Sequence, residues 1–141
     1  MKLGLGSYSY RWSIGHKDRT PSSPITCIEL LEVTSKLELD VLQIADNMPV
    51  HNIETQTLDQ LYRTAQKQGI NLEIGMQSFS TESIKLYLDI AERLDSRILR
   101  IALDGNDVGT SDDIIAKEFK NILPIAEKIN CKIAIENHFA F

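Results

Sequence analysis

The residues best suited to chemistry stand near the end of the sequence, where the apolar run Ile133-Ala134-Ile135 closes in Glu136-Asn137-His138. A carboxylate that directly ends an apolar strand is costly to bury unless a cation or hydrogen-bond donors meet it. Four earlier apolar runs stop in the same manner. The first leads into Ser7, Tyr8, Tyr10 and Trp12, the second into Asp46, Asn47 and His51, the third into Gln77 and the fourth into Asp104. Hydroxyls, amides, carboxylates and imidazoles at strand ends suit a small polyhydroxylated substrate and a divalent cation. Tyr8 and Trp12 can stack on the apolar face of a sugar ring or wall off solvent. Each residue also has a plain structural reading. Tyr8, Tyr10 and Trp12 can be loop packing, Asp46-Asn47 a turn before Pro49, His51 a surface histidine, and Asp104 a turn residue before Gly105.

Side chains at strand ends share a site only if the strands run parallel, so the elements between them decide the matter. Strands are expected at residues 3–7, 40–46, 71–77, 97–103 and 132–137. Helical spacing of apolar residues fills the gaps. Ser23 followed by Pro24 predicts a helix start, with Ile28, Leu31, Val33 and Leu37 as its apolar face. Thr57 and Gln60 have capping-box spacing and predict a second start, ended by Gly69. Ser80 and Ser111 predict the third and fourth. Pro124 falls inside the fourth and should kink or split it.

Strand centres at Leu5, Leu42, Leu72, Leu99 and Ala134 are 37, 30, 27 and 35 residues apart. That is the size of right-handed βαβ units. The fold class is α/β, and two architectures fit: an open doubly wound sheet or a (β/α)8 TIM-type barrel. The barrel is favoured, because Gly4-Leu5-Gly6-Ser7-Tyr8 lacks the third glycine of a dinucleotide fingerprint and runs into a long loop. A complete barrel needs about 250 residues. The 141 residues here supply five parallel strands and four helices, a partial barrel read as one domain spanning residues 1–141.

The net charge of −5 argues against nucleic acid or an anionic membrane as a partner. Arg11, His16, Lys17 and Arg19 form the one local basic group and read as a solvated loop. Cys27 and Cys131 belong to no CxxC pair and read as buried free thiols, which suits the cytoplasm. The start of the chain is too short and glycine-rich for a signal peptide, and no apolar run approaches membrane-spanning length.

The sequence resembles the xylose isomerase-like TIM-barrel superfamily of sugar isomerases and epimerases. Leu3-Gly4-Leu5-Gly6-Ser7-Tyr8-Ser9-Tyr10 is similar to that family's first strand and loop, and Leu42-Gln43-Ile44-Ala45-Asp46-Asn47 to its second strand. Ile133-Ala134-Ile135-Glu136-Asn137-His138 is similar to its fifth and is the most specific of the three. The resemblance implies a sugar or sugar-phosphate isomerase or epimerase acting through an enediolate. It implies a divalent metal cation (Mn, Mg, Zn or Co) with Glu136 as one of four ligands and as a member of the proton-transferring pair. Tyr8, Trp12, Asp46, Asn47, His51, Gln77 and His138 are the candidate substrate contacts. The remaining ligands belong to later strands, so the sequence is expected to be the N-terminal part of the barrel and, alone, to bind metal weakly and turn nothing over.

Two other functions fit the same residues. An endonuclease IV-like phosphodiesterase would draw extra histidines from earlier strands, and the fourth strand, Arg97-Ile98-Leu99-Arg100-Ile101-Ala102-Leu103, has none. A non-catalytic half-barrel would work only by association, because five unclosed strands leave two edges for a homo-oligomer or a C-terminal half to cover.

Overall fold

The protein is described by a computed structural model covering residues 2–16, 19–77, 79–103 and 110–136. Its strands are β1 (Gly4–Gly6), β2 (Val41–Ile44), β3 (Asn71–Gln77), β4 (Ile98–Ala102) and β5 (Lys132–Glu136). Its helices are α1 (Arg11–Ile14), α2 (Cys27–Lys36), α3 (Thr55–Gln68), α4 (Thr81–Leu94) and α5 (Asp112–Lys128). The strands lie side by side in the order β1-β2-β3-β4-β5, and every neighbouring pair is parallel. That order never reverses. Right-handed crossovers that always step the same way place every helix on one face, which is the winding of a barrel wall and not of a doubly wound sheet. No helix among the described residues is long and apolar enough to cross a membrane.

Parallel register tells which side chains share a face. Leu5, Leu42 and Leu72 align, as do Ile74 and Leu99, and Ile101 and Ile135. This set faces the helices, where Leu42, Ile44, Leu72, Ile74, Leu99 and Ile101 are buried against Leu30 and Leu31 of α2, Leu58 and Leu61 of α3, Ile84 and Leu88 of α4, and Ile122 of α5. The alternate residues form the other, inner face. Gln43 aligns with Glu73, Gly75 with Arg100 and Ala134, and Gln77 with Ala102 and Glu136. One face carries the core and the other carries the polar groups.

Helix starts differ from the sequence expectation where capping chemistry competes. α2 begins after Thr26, not at Ser23-Pro24. Thr26 and Glu29 form a reciprocal capping box, with the Glu29 amide donating to Thr26 Oγ1 at 3.2 Å and the Thr26 amide to Glu29 Oε2 at 2.8 Å. Two otherwise orphaned N–H groups are met there, and Ser23-Pro24 offers no equivalent. Leu30 joins Leu31 on the buried face, whereas Leu37, expected on that face, lies past the last helical residue as the C-cap and is 53% exposed. α3 begins at Thr55, because the amides of Thr57 and Leu58 already close turns on the Glu54 carbonyl. Ser80 caps α4 as expected, accepting from the Ser83 amide. Gly69 ends α3 in the left-handed region at φ 71°, where a glycine carries no Cβ penalty. α5 runs through Pro124 as one helix and is not split, its inner face held by the buried Ile122 and Ala126 on either side. The segment after β1, expected as loop, contains a short 3-10 turn (Ser7–Tyr10) and the single turn of α1.

Candidate functional site

The strand ends are tied together by hydrogen bonds that begin at Ser7. Its hydroxyl is fully buried, accepts from the Ala45 amide at 2.9 Å and donates to Asn47 Oδ1 at 2.5 Å. Ser7 thus fixes the turn that follows β2. Asp46 and Asn47 diverge from that turn. Asn47 stays with Ser7, its Nδ2 buried without a partner, and borders an apolar hollow lined by Ile14, Ile25, Cys27, Met48 and Ile53. Asp46 turns to the inner face.

There Asp46 meets two donors. The Tyr8 phenol donates to Oδ2 at 2.5 Å, and Arg100 Nη2 lies 2.7 Å from Oδ1. Arg100 Nη1 reaches Glu136 Oε2 at 2.6 Å. Tyr8, Asp46, Arg100 and Glu136 form one chain of contacts across the rim, drawn from the segments after β1 and β2 and from β4 and β5. Burial, followed by the hydrogen bond to Asp46 and its negative charge, pushes the Tyr8 phenol up to about 12, so it stays a neutral donor at ordinary pH.

The remaining candidates lie apart from this chain. Gln77 ends β3 on the inner face and is exposed, level with Glu136. His51 packs on α4, its Nδ1 2.8 Å from the hydroxyl of Tyr87. Tyr87 is buried, and burial together with the charge of Asp46 pushes its phenol up to about 12. Trp12 is 54% exposed on α1 and gathers cations, with the Arg11 guanidinium 4.9 Å and that of Arg19 5.7 Å from its ring. Arg11, His16 and Arg19, expected as part of a solvated loop, therefore surround an indole, and Lys17 lies outside the described residues. Cys27 and Cys131 are buried free thiols, and burial raises both pKa values. Asp104, Asn137 and His138 lie outside the described residues.

Arg100 and Gly75 were not among the residues singled out from the sequence. An arginine between Leu99 and Ile101 belongs to the opposite face from both, and a glycine inside β3 often marks a close approach. Those two signals were the available clue in the sequence, and their matching register appears only in the paired sheet.

The resemblance brings a divalent cation with Glu136 as ligand. Among the described residues, no three His, Cys, Asp or Glu side chains gather closely enough to hold one. One Glu136 oxygen already holds a guanidinium, whose charge a metal ion would oppose or have to displace. The described residues do not by themselves make a divalent-metal centre.

No family model matches the sequence. The chain is 28% identical over 98% of its length to 3-oxo-isoapionate decarboxylase from Pectobacterium atrosepticum, covering 49% of that protein. Its fold is similar to that of D-psicose 3-epimerase from Clostridium cellulolyticum, with a TM-score of 0.68 at 19% identity over 94% of this chain and 51% of the epimerase. A xylose isomerase domain-containing protein from Salmonella typhimurium gives a TM-score of 0.63 at 12% identity over 95% of this chain and 48% of its own. The chain thus spans about half the length of the relatives it matches. With its singly wound order and its helices on one side, it has, in partial form, the fold of a xylose isomerase-like TIM barrel.

Proposed function

We propose that this chain carries part of the active site of a sugar isomerase or epimerase that moves a proton on a carbon beside a carbonyl. The single observation behind the reading is the rim itself, where Glu136 has one oxygen fixed by Arg100 and its side chain is 47% exposed. In this role Glu136 takes the proton, and the guanidinium beside it places positive charge next to the enediolate that forms. Tyr8 and Gln77 supply neutral hydrogen-bonding groups for substrate hydroxyls. The group that returns the proton is not among these four residues. The fold shared with an epimerase whose structure holds D-tagatose supports a sugar substrate.

Decarboxylation is a second reading, supported by the relative that matches 98% of this chain. Loss of carbon dioxide from a 3-oxo sugar acid leaves the same kind of enolate that proton removal leaves from a ketose. One experiment separates them. The protein of the full reading frame carrying this sequence is incubated in deuterated water with ketoses, ketose phosphates and 3-oxo sugar acids. NMR follows exchange at the α-carbon and carbon dioxide release. Exchange without carbon dioxide, lost by about 10²-fold or more in Glu136→Gln, is the expected result. Full exchange in Glu136→Gln would sink the reading, and carbon dioxide release without ketose exchange would replace it with the second.

A further inference from the structure

Arg100 sits between two wholly buried residues, Leu99 and Ile101, yet its own side chain lies on the opposite face. It crosses β3 over Gly75, its register partner. A Cβ at position 75 would stand 2.9 Å from Nε and 3.1 Å from Nη2, so the guanidinium occupies the room that any other residue would fill. It ends between two carboxylates, at 2.7 Å from Asp46 and 2.6 Å from Glu136. The side chains of Arg100 and Asp46 are 14% and 15% exposed, whereas that of Glu136 is 47% exposed. Asp46 uses its second oxygen on Tyr8, so both of its oxygens are engaged. Among the described residues Glu136 is held by Oε2 from one side only.

We infer that Arg100 is the positioning residue of this site, holding the carboxylate of Glu136 through Nη1 while Asp46, itself braced by the Tyr8 hydroxyl, holds the guanidinium through Nη2. Gly75 is the gap that lets it reach. The inference rests on the reading of Glu136 as the proton acceptor. The planar fork is essential to the role: its two nitrogens meet carboxylates on the turn after β2 and on β5 at once, which the single nitrogen of a lysine does not do. A base displaced by about 1 Å loses about 10²-fold in rate, and that is the effect a lost clamp should have.

The test has one arm that needs no turnover. In nitrogen-15 NMR of the 141-residue chain, Arg100 should show slowly rotating Nη groups. Glu136→Gln and Asp46→Asn should each free one side of the guanidinium, and Gly75→Ala both. A freely rotating Arg100 in the unaltered chain overturns the inference whatever the activity. The second arm uses the full-frame protein. Arg100→Ala should lose about 10²-fold in kcat with KM little changed. Arg100→Lys should recover little of it. Millimolar guanidinium should restore activity to Arg100→Ala and none to Glu136→Gln. A folded Arg100→Ala with undiminished kcat, or one that guanidinium does not rescue, also overturns it. Turnover surviving in Glu136→Gln defeats the functional reading instead, and the NMR arm then still decides whether Arg100 holds Glu136.

Discussion

The two faces of the sheet are built from alternate residues of the same strands and share almost nothing else. Along β4, Leu99 and Ile101 point to the helices and are wholly buried, and Arg100 between them points to the inner face and holds two carboxylates. Along β3, Leu72, Ile74 and Met76 are buried, and Glu73 and Gln77 alternate with them around Gly75. The helix-facing side gains stability from apolar area removed from water. The inner side carries groups that are costly to bury unless paired, and its half-buried ones find partners: Glu73 accepts from Gln43, and the Nη groups of Arg100 lie between Asp46 and Glu136. Stability and the proposed chemistry therefore fall on opposite faces, one residue apart.

The sharpest way to break this division is to shave one residue from the helix-facing side. Leu99→Ala should cost about 2–5 kcal/mol, the range for a fully buried leucine whose cavity cannot collapse. Urea denaturation measures it. A loss under about 1 kcal/mol would mean that the helix layer packs loosely there and that the two faces differ less than described.

On the inner face the comparable change is an addition. Gly75→Ala should cost about 1–3 kcal/mol, because the new methyl meets Nε and Nη2 inside van der Waals contact, with the Ala45 backbone 3.4 Å away, and the guanidinium that must yield is held between two carboxylates. The same measurement made in an Arg100→Ala background should show most of that cost gone. Equal costs in both backgrounds would place the strain in the β3 backbone and not in the clamp.

These two positions also mark how far the sequence could be read. The five strands came through because their apolar runs are short, regularly spaced and bounded by polar residues, and β3 matches its expected span residue for residue. The barrel winding came through from repeat size and from the missing glycine fingerprint. Helix starts were less legible. Ser23-Pro24 and Thr26-Glu29 both spell a start, and only the reciprocal bonds of the second decide between them. At the rim, Glu136 and Asp46 were visible as carboxylates after apolar runs. The residue that joins them was not, since Arg100 owes its role to Gly75, 25 positions earlier on another strand. Register across a sheet is a property of pairing, and single-strand patterning does not carry it.

The two late-titrating phenols sample the two sides and give a smaller effect. Tyr8 belongs to the inner rim and Tyr87 to α4, and both are pushed from 10.0 to about 12. A phenol whose folded pKa exceeds its unfolded value contributes stability in full below pH 10, and the contribution is lost as pH rises from about 10 through about 12. Urea midpoints should fall across that window. Tyr87→Phe should flatten the fall more than Tyr8→Phe, because Tyr87 is 4% and Tyr8 44% exposed and water screens the latter. Absorbance near 295 nm should show one late phenol removed by each substitution. Unchanged titration in Tyr8→Phe would mean that its bond to Asp46 does not persist in solution.

The smallest change belongs to the exposed end of the inner face. Gln77 closes β3 level with Ala102 and Glu136, and no hydrogen bond from its side chain contributes to the rim network described above. Gln77→Ala removes little packing, so its effect on stability should stay within about 0.5 kcal/mol. For a chain of this size that is a shift of about 1–2 °C in Tm. The value of the experiment lies in its contrast with Leu99→Ala, since both residues sit on neighbouring strands of one sheet. A polyol-binding role for Gln77 predicts a second, separate effect. Chemical shifts of the rim amides should move when a ketose is added, and the half-saturating concentration should rise in Gln77→Ala while Tm stays put. A stability loss above about 1.5 kcal/mol would instead show that the inner face is covered in solution, by a second copy or by further chain, because only a buried side chain costs that much to remove.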